Sequence, residues 1–170
     1  MKPAIRAVAV ARPVLAGPGR SLLALLLVAW LALLSACAVS WVSSYDKAAV
    51  DRSTEISKNA LGLYQQLLNT EPGKRAAAVN GALAPRYGEI ETQIRVHLLI
   101  EQARAKNAES VSIAGNLLES WRKFAASHRS GESTALTNAT LDVERGILER
   151  HLRSAFIAEE AKKLGGGAAK

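Results

Sequence analysis

The stretch Asp46–Leu68, DKAAVDRSTEISKNALGLYQQLL, decides the fold class of this protein. Its apolar residues recur every three or four positions, which places an apolar stripe along one side of a helix. The inward residues of that stripe are Ala49, Ile56, Ala60, Leu63 and Leu67. Asp46 can cap the first turn, and Asn69-Thr70-Glu71-Pro72-Gly73 is a clear stop. The sequence therefore predicts a long amphipathic helix here.

The same period returns in later segments. Lys74–Leu83 predicts a short helix, and a second long helix starts at Pro85 and ends near Asn107, which can cap the third. A polar loop is expected at Ser127–Thr134, and the fourth long helix then runs to about Leu164. The inward residues of these three long helices are Tyr87, Ile90, Ile94 and Leu98; Val111, Ala114, Leu118, Trp121 and Ala125; and Leu141, Leu148, Leu152 and Ala155.

The connections between these helices are short, and no segment has the pattern of a strand. Short connections place consecutive helices side by side and antiparallel. We therefore predict an all-α domain over residues 46–164, an antiparallel bundle of three or four helices. Residues 165–170 are expected to form a flexible tail.

A segment with the features of a secretory signal precedes the domain. The first twenty residues contain four basic and no acidic side chains, and every residue of 22–34 is apolar. A basic region, an apolar region and a site of small residues, in that order, are the architecture of a secretory signal. The segment ends at Leu34-Ser35-Ala36-Cys37, which contains the only cysteine of the chain.

These four residues resemble the lipobox of bacterial lipoproteins, which reads leucine, a small residue, alanine or glycine, and cysteine. The resemblance implies that residues 1–36 are a signal peptide and that Cys37 carries a diacylglyceryl group and an N-terminal acyl chain. Residues 37–45 would then be the lipidated N-terminus and a short spacer. It also implies a membrane of the cell envelope, facing the periplasm, and Ala38 in place of aspartate favours the outer membrane under the sorting rule of enteric lipoproteins.

An uncleaved anchor is the alternative interpretation. Leu22–Val42 is long and apolar enough to span a bilayer, and the basic residues before it would keep the N-terminus in the cytoplasm. Both interpretations place the helical domain outside the cytoplasm. Because Ala38–Ser44 reaches at most about 25 Å, both also place it close to its membrane.

The formal charge of +7 arises mainly before the domain. Residues 1–36 hold four of the 22 basic residues and none of the 15 acidic ones, so 18 basic and 15 acidic residues remain, a net charge of +3. A mildly basic and well-mixed surface does not indicate a nucleic-acid partner. The single cysteine excludes a disulfide within the chain.

The sequence lacks the motifs of the common enzyme classes. It contains no glycine-rich phosphate loop, no G-x-S-x-G, no H-E-x-x-H and no C-x-x-C. No glutamate lies three residues before a histidine, so the di-iron bundle signature is missing as well. We therefore predict no catalytic residue, no metal site and no cofactor.

Polar residues interrupt two of the apolar stripes. They are His97, Glu101 and Arg104 on the second long helix and Glu144, His151 and Glu159 on or at the margin of the stripe of the fourth. One interpretation is a metal or small-ligand site inside the bundle. The other, which the sequence favours, is a buried polar network in which Glu101 pairs with Arg104 or His97 and fixes the register of the helices.

The mature part also resembles an uncharacterised group of proteobacterial exported proteins. The resemblance rests on short pieces: Tyr45-Asp46, Ala103-Arg104-Ala105-Lys106-Asn107, His128, Arg153, Phe156, Glu159 and Ala161-Lys162-Lys163. Ala105 stands where such proteins carry proline. The group implies no activity.

From these features we expect a membrane-tethered envelope lipoprotein that is not an enzyme and acts as a protein-binding or structural module. Its expected partners are membrane lipid, through Cys37, and another envelope protein. The alternative, from a different class, is a metal- or small-ligand-binding bundle, with or without enzymatic activity, built on His97, Glu101, Glu144 and His151.

Overall fold

The computed structural model describes residues 42–132 and 134–166, all of which belong to the unit Ser40–Lys170. Within these residues there are five helices and no strand, so the predicted all-α fold is confirmed. The helices are α1 (Lys47–Asn69), α2 (Pro72–Asn80), α3 (Ala84–Ala103), α4 (Ala108–Arg129) and α5 (Asn138–Gly166). The predicted signal segment, Cys37 and the last four residues lie outside the described part of the chain.

The four long helices α1, α3, α4 and α5 form a bundle in which each packs against two others. α3 lies between α1 and α4, and α5 closes the ring between α4 and α1. Contacts between helix ends give the directions. Asp46, before α1, meets Glu159 near the end of α5, and Tyr87, near the start of α3, meets His128 near the end of α4. Neighbouring helices are therefore antiparallel, as their short connections predict.

The boundaries of α1 follow from its sequence. A side-chain oxygen of Asp46 accepts a 2.8 Å hydrogen bond from the Ala48 N–H, which is the predicted N-cap. The N–H of Thr70 bonds to carbonyls of the last turn, and Pro72 then opens α2, two residues before the predicted start. The predicted inward residues Ala49, Ile56, Ala60, Leu63 and Leu67 are all buried.

Arg75 on α2 is 1% exposed, and no sequence pattern indicated that it would be buried. Its guanidinium donates to the carbonyls of Thr70 at 2.9 Å and Leu136 at 2.7 Å, and to the Asn138 side chain at 2.6 Å. A further bond reaches the Leu68 carbonyl in the last turn of α1, where the helix dipole favours a cation. Arg75 thus joins α2 to the end of α1 and to the start of α5.

The turn between α3 and α4 differs in detail from the prediction. α3 ends at Ala103, before the predicted boundary, and Lys106 adopts a φ of 58° in the turn. Asn107 occupies the N-cap position of α4 as predicted, but its side chain makes no capping bond. It bonds instead to Glu101, because the buried carboxylate of Glu101 needs donors.

The predicted loop at residues 127–134 starts too early, because α4 continues to Arg129. Its last turns carry the apolar stripe onward to His128, which is fully buried. The interior is filled by Trp121, Tyr64, Tyr87 and the aliphatic residues of the four long helices. Leu98, Val111 and Ala155, predicted to face inward, are only half-buried.

No helix within residues 42–132 and 134–166 combines the length and apolar character needed to cross a membrane. The stretch Leu22–Val42, on which the anchor prediction rests, lies almost entirely outside this range. Anchoring therefore stays a prediction.

Candidate functional site

Two clusters of buried or partly buried polar side chains lie at opposite ends of the bundle. The proximal cluster, where the chain enters α1, consists of Glu101, Arg104, Asn107, Ser110, Glu159 and Lys162. The distal cluster, at the other end, consists of Tyr64, Tyr87, His128 and Glu144. Each cluster joins side chains from several helices, and buried polar groups require such partners.

Glu101, 1% exposed, is the innermost carboxylate of the proximal cluster. Its Oε2 accepts a 2.7 Å bond from Arg104 and a 2.6 Å bond from the Asn107 side chain. Asn107 also donates to the Glu101 carbonyl at 2.9 Å, at the end of α3. The predicted pairing of Glu101 with Arg104 is therefore present, and Asn107 strengthens it.

Glu159 and Lys162 bring α5 into the same cluster. Arg104 donates to Glu159 at 2.9 Å, and Lys162 forms an ion pair with the same carboxylate. The Lys162 ammonium also donates to Asn107 at 2.6 Å and to the Ser110 hydroxyl at 2.8 Å. Burial raises the pKa of Glu159, but the bonds from Arg104 and Lys162 outweigh burial and hold the pKa below its usual value. Glu159 is therefore ionised at neutral pH.

The proximal cluster also holds the chain segment that leads into α1. The N–H of Ser43 donates to the Lys106 carbonyl at 3.1 Å, and its hydroxyl donates to Asn107 at 2.9 Å. Arg104 donates to the Ser44 carbonyl at 2.5 Å. The N–H of Asp46 donates to Glu159 at 3.0 Å. Residues 43–46 are thus fixed to the ends of α3 and α5 and to the turn between α3 and α4.

His97 lies beside this cluster and is 5% exposed. Its Nδ1 is 3.7 Å from Glu101 Oε1, and its Nε2 is 3.5 Å from the Ser53 hydroxyl. Burial lowers the pKa of His97, although the neighbouring Glu101 opposes this, so the imidazole is neutral at neutral pH. The cavity that His97, Glu101 and Ser53 line holds about 10 Å³, room for one water molecule and not for a larger ligand.

The distal cluster takes one side chain from each long helix: Tyr64, Tyr87, His128 and Glu144. Glu144 Oε2 lies 2.6 Å from His128 Nε2 and 3.1 Å from the Tyr64 hydroxyl, and His128 Nδ1 lies 2.7 Å from the Tyr87 hydroxyl. In the tautomer with the proton on Nε2, His128 donates to the Glu144 carboxylate, and Nδ1 accepts from the Tyr87 hydroxyl. Burial, reinforced by the charge of Glu144, raises the pKa of both tyrosines, so both remain donors.

Glu144 and His151 do not join the other predicted site residues. Glu144 belongs to the distal cluster, and the half-buried His151 pairs with the Ser120 hydroxyl at 3.1 Å. The reason is axial distance. At 1.5 Å per residue, Glu144 lies about 22 Å and His151 about 12 Å along α5 from Glu159, which is the residue that meets Glu101 through Arg104. A helical wheel gives only the angle around the axis, so it cannot separate residues that lie at different heights.

Two buried residues that the sequence analysis missed continue stripes already identified. Lys162 follows Leu152, Ala155 and Glu159 at steps of three or four, although a lysine side chain by itself favours a solvent-exposed position. His128 follows Trp121 and Ala125 in the same way, although it falls within the predicted loop Ser127–Thr134. The periodicity therefore contained both signals, and only the polarity of the side chains argued against burial.

Within the described residues, no group of three or more histidine, cysteine, aspartate or glutamate side chains is placed to hold a metal ion. The buried carboxylates are divided between the two clusters, Glu101 and Glu159 in the proximal one and Glu144 in the distal one, and protein groups bond to each of them. Comparison with protein-family models, with curated proteins and with solved structures gave no match to this chain.

Proposed function

We propose that the protein is an exported, membrane-tethered helical lipoprotein that acts at the cell envelope as a non-enzymatic binding or structural module. The observation that carries this proposal is the fixation of residues 43–46 on the end of the bundle. A segment between an anchor and a domain is free to move when it has no such bonds. Here at most residues 38–42 separate Cys37 from the fixed segment, so a tether at Cys37 would hold the domain beside the membrane.

A structural role for the buried polar groups supports the non-enzymatic part of the proposal. Glu101, Glu144, Glu159 and His128 are at most 7% exposed, and each bonds to side chains of other segments. A general acid or base has to come within hydrogen-bonding distance of its substrate. These groups form hydrogen bonds and ion pairs with protein side chains, and those bonds hold the helices together.

The α1–α3 side of the bundle supports a protein partner. Val96 is 46% and Leu99 58% exposed, one turn apart on α3. Val96 also lines a groove of about 200 Å³ between α3 and α1, with Ile56 at its base and Arg52 and Glu55 beside it. Adjacent exposed apolar side chains rimmed by charged ones are characteristic of protein contact sites.

Mass spectrometry of the protein from its membrane tests the tether. We expect residues 1–36 to be missing and Cys37 to carry acyl chains, and Cys37→Ser to accumulate as an unprocessed precursor. An intact N-terminus with a free thiol on Cys37 would replace the lipoprotein by the single-span anchor.

Crosslinking in intact cells tests the partner. Leu99→Glu should abolish a crosslinked species that wild type forms, because the charge disrupts an apolar contact. Val143→Glu is the matched control, since Val143 is equally apolar and 64% exposed but lies on α5. Loss of the species in both variants, or in neither, would argue against the α1–α3 side as the contact surface.

A further inference from the structure

The end of the bundle that holds the proximal cluster also carries a set of apolar, aromatic and cationic side chains. This end patch consists of Val42, Tyr45, Lys47, Lys106, Lys163 and Leu164. These residues come from the segment that leads into α1, the first residue of α1, the turn between α3 and α4 and the end of α5, which meet here because neighbouring helices are antiparallel.

The composition of the end patch fits a bilayer surface. Leu164, at 85%, is the most exposed large apolar side chain among the described residues, and Val42 is 47% exposed. The ammonium of Lys163 lies 4.5 Å from the centroid of the Tyr45 ring. Tyrosine is enriched at membrane–water interfaces, and a lysine there keeps its ammonium among polar groups while its methylenes lie along apolar surface.

The length of the chain before residue 42 brings this end to a membrane. Residues 38–42 reach at most about 18 Å from Cys37. Residues 43–46 do not extend this reach, because Ser43, Ser44 and Asp46 are bonded to the bundle. A lipid on Cys37 and a span over Leu22–Val42 would both hold the same end of the bundle against the headgroups.

We propose that the end patch is the surface through which the bundle contacts lipid, with Val42 and Leu164 among the headgroups and Lys47 and Lys163 at the lipid phosphates. This inference rests on the membrane tether proposed above. The Lys47–Asp51 and Lys163–Glu160 pairs, at 2.7 and 2.6 Å, leave both lysines able to reach phosphates. Exposed pairs of this kind contribute little and rearrange easily.

Fluorescence quenching in vesicles tests the proposal on the full-length chain. Leu164→Cys and Val143→Cys, processed in a bacterial host, each provide a thiol for an environment-sensitive fluorophore. Val143 is an exposed apolar residue of the same helix, about 31 Å away along its axis. In phosphatidylethanolamine–phosphatidylglycerol vesicles with brominated acyl chains, the label at 164 should lose most of its fluorescence and the label at 143 should keep it. Val42→Cys should behave like Leu164→Cys.

Equal brightness at all three positions would overturn the proposal, because the bundle would then stand away from the bilayer. Equal quenching would overturn it too, because the bundle would lie on its side. Wild type treated with the same fluorophore separates the two proposals. If Cys37 becomes labelled, it carries no lipid, and the lipoprotein proposal is rejected while the end-patch proposal still stands. The fluorescence at positions 42, 143 and 164 is then compared in the Cys37→Ser background.

Discussion

Lys162 and Lys163 are adjacent lysines that the structure places in opposite environments. Lys162 is 4% exposed, and its ammonium bonds to Glu159, Asn107 and Ser110. The Lys163 side chain is 45% exposed, pairs with the exposed Glu160 and lies over the Tyr45 ring. Methionine has a similar length and no charge, so Lys162→Met and Lys163→Met form a matched pair of variants.

The expected cost of Lys162→Met follows from what remains bonded. Breaking a buried ion pair costs about 3–5 kcal/mol when the other charge is left alone. Glu159 keeps its bonds from Arg104 and from the Asp46 N–H, so the cost should fall near the lower limit, about 3 kcal/mol. Lys163→Met should stay within roughly 0.5 kcal/mol of wild type.

Urea denaturation and thermal melting of residues 38–170 measure this difference. For a domain of this size, about 3 kcal/mol corresponds to a fall in Tm of roughly 10 °C. Similar losses in both variants, or no loss in either, would refute the inference that the proximal cluster stabilises the bundle through Lys162.

Three further predictions concern the same domain. Residues 38–170 should give a strongly helical circular dichroism spectrum, and Leu118→Ala should cost about 2–5 kcal/mol because that side chain is core. Glu101→Ala should cost about 3 kcal/mol by urea denaturation, and apolar replacement of both Glu101 and Arg104 should recover much of it; additive losses would contradict this. Since burial lowers the pKa of His97, stability should fall as pH drops below about 6.5, and His97→Gln should flatten that part of the profile.

The helices could be predicted from the sequence, but the contacts between their ends could not. Spacing of apolar residues predicted α1, including its cap at Asp46, because period and capping are local properties of the chain. It placed Glu101 inside for the same reason. It could not identify the partners of Glu101 beyond its own helix, because Asn107 and, at 3.7 Å, Arg52 of α1 reach its carboxylate only after the helices are docked.

The partners of Glu159 could not be predicted from the sequence either. In the sequence, Glu159 and Lys163 are four residues apart, which is the spacing of a solvent-exposed pair on a helix. In the structure Glu159 is 4% exposed and bonds to Lys162 and Arg104, whereas Lys163 pairs with Glu160. The local rule correctly states that such residues can meet. Which pair forms depends on the side of α5 that faces the interior of the bundle, and that is settled by packing.

Because the two clusters lie at opposite ends of the bundle, together they fix the register in which the helices pack. Sliding one helix by a single turn moves it about 5.4 Å, which an apolar interface of similar side chains can tolerate. The same shift of α5 would part Glu159 from Arg104 at one end and Glu144 from His128 at the other. Buried polar groups left without partners cost far more than a repacked leucine. The two clusters therefore select one register for α5, and that register brings the end of α5 to the segment that leads into α1.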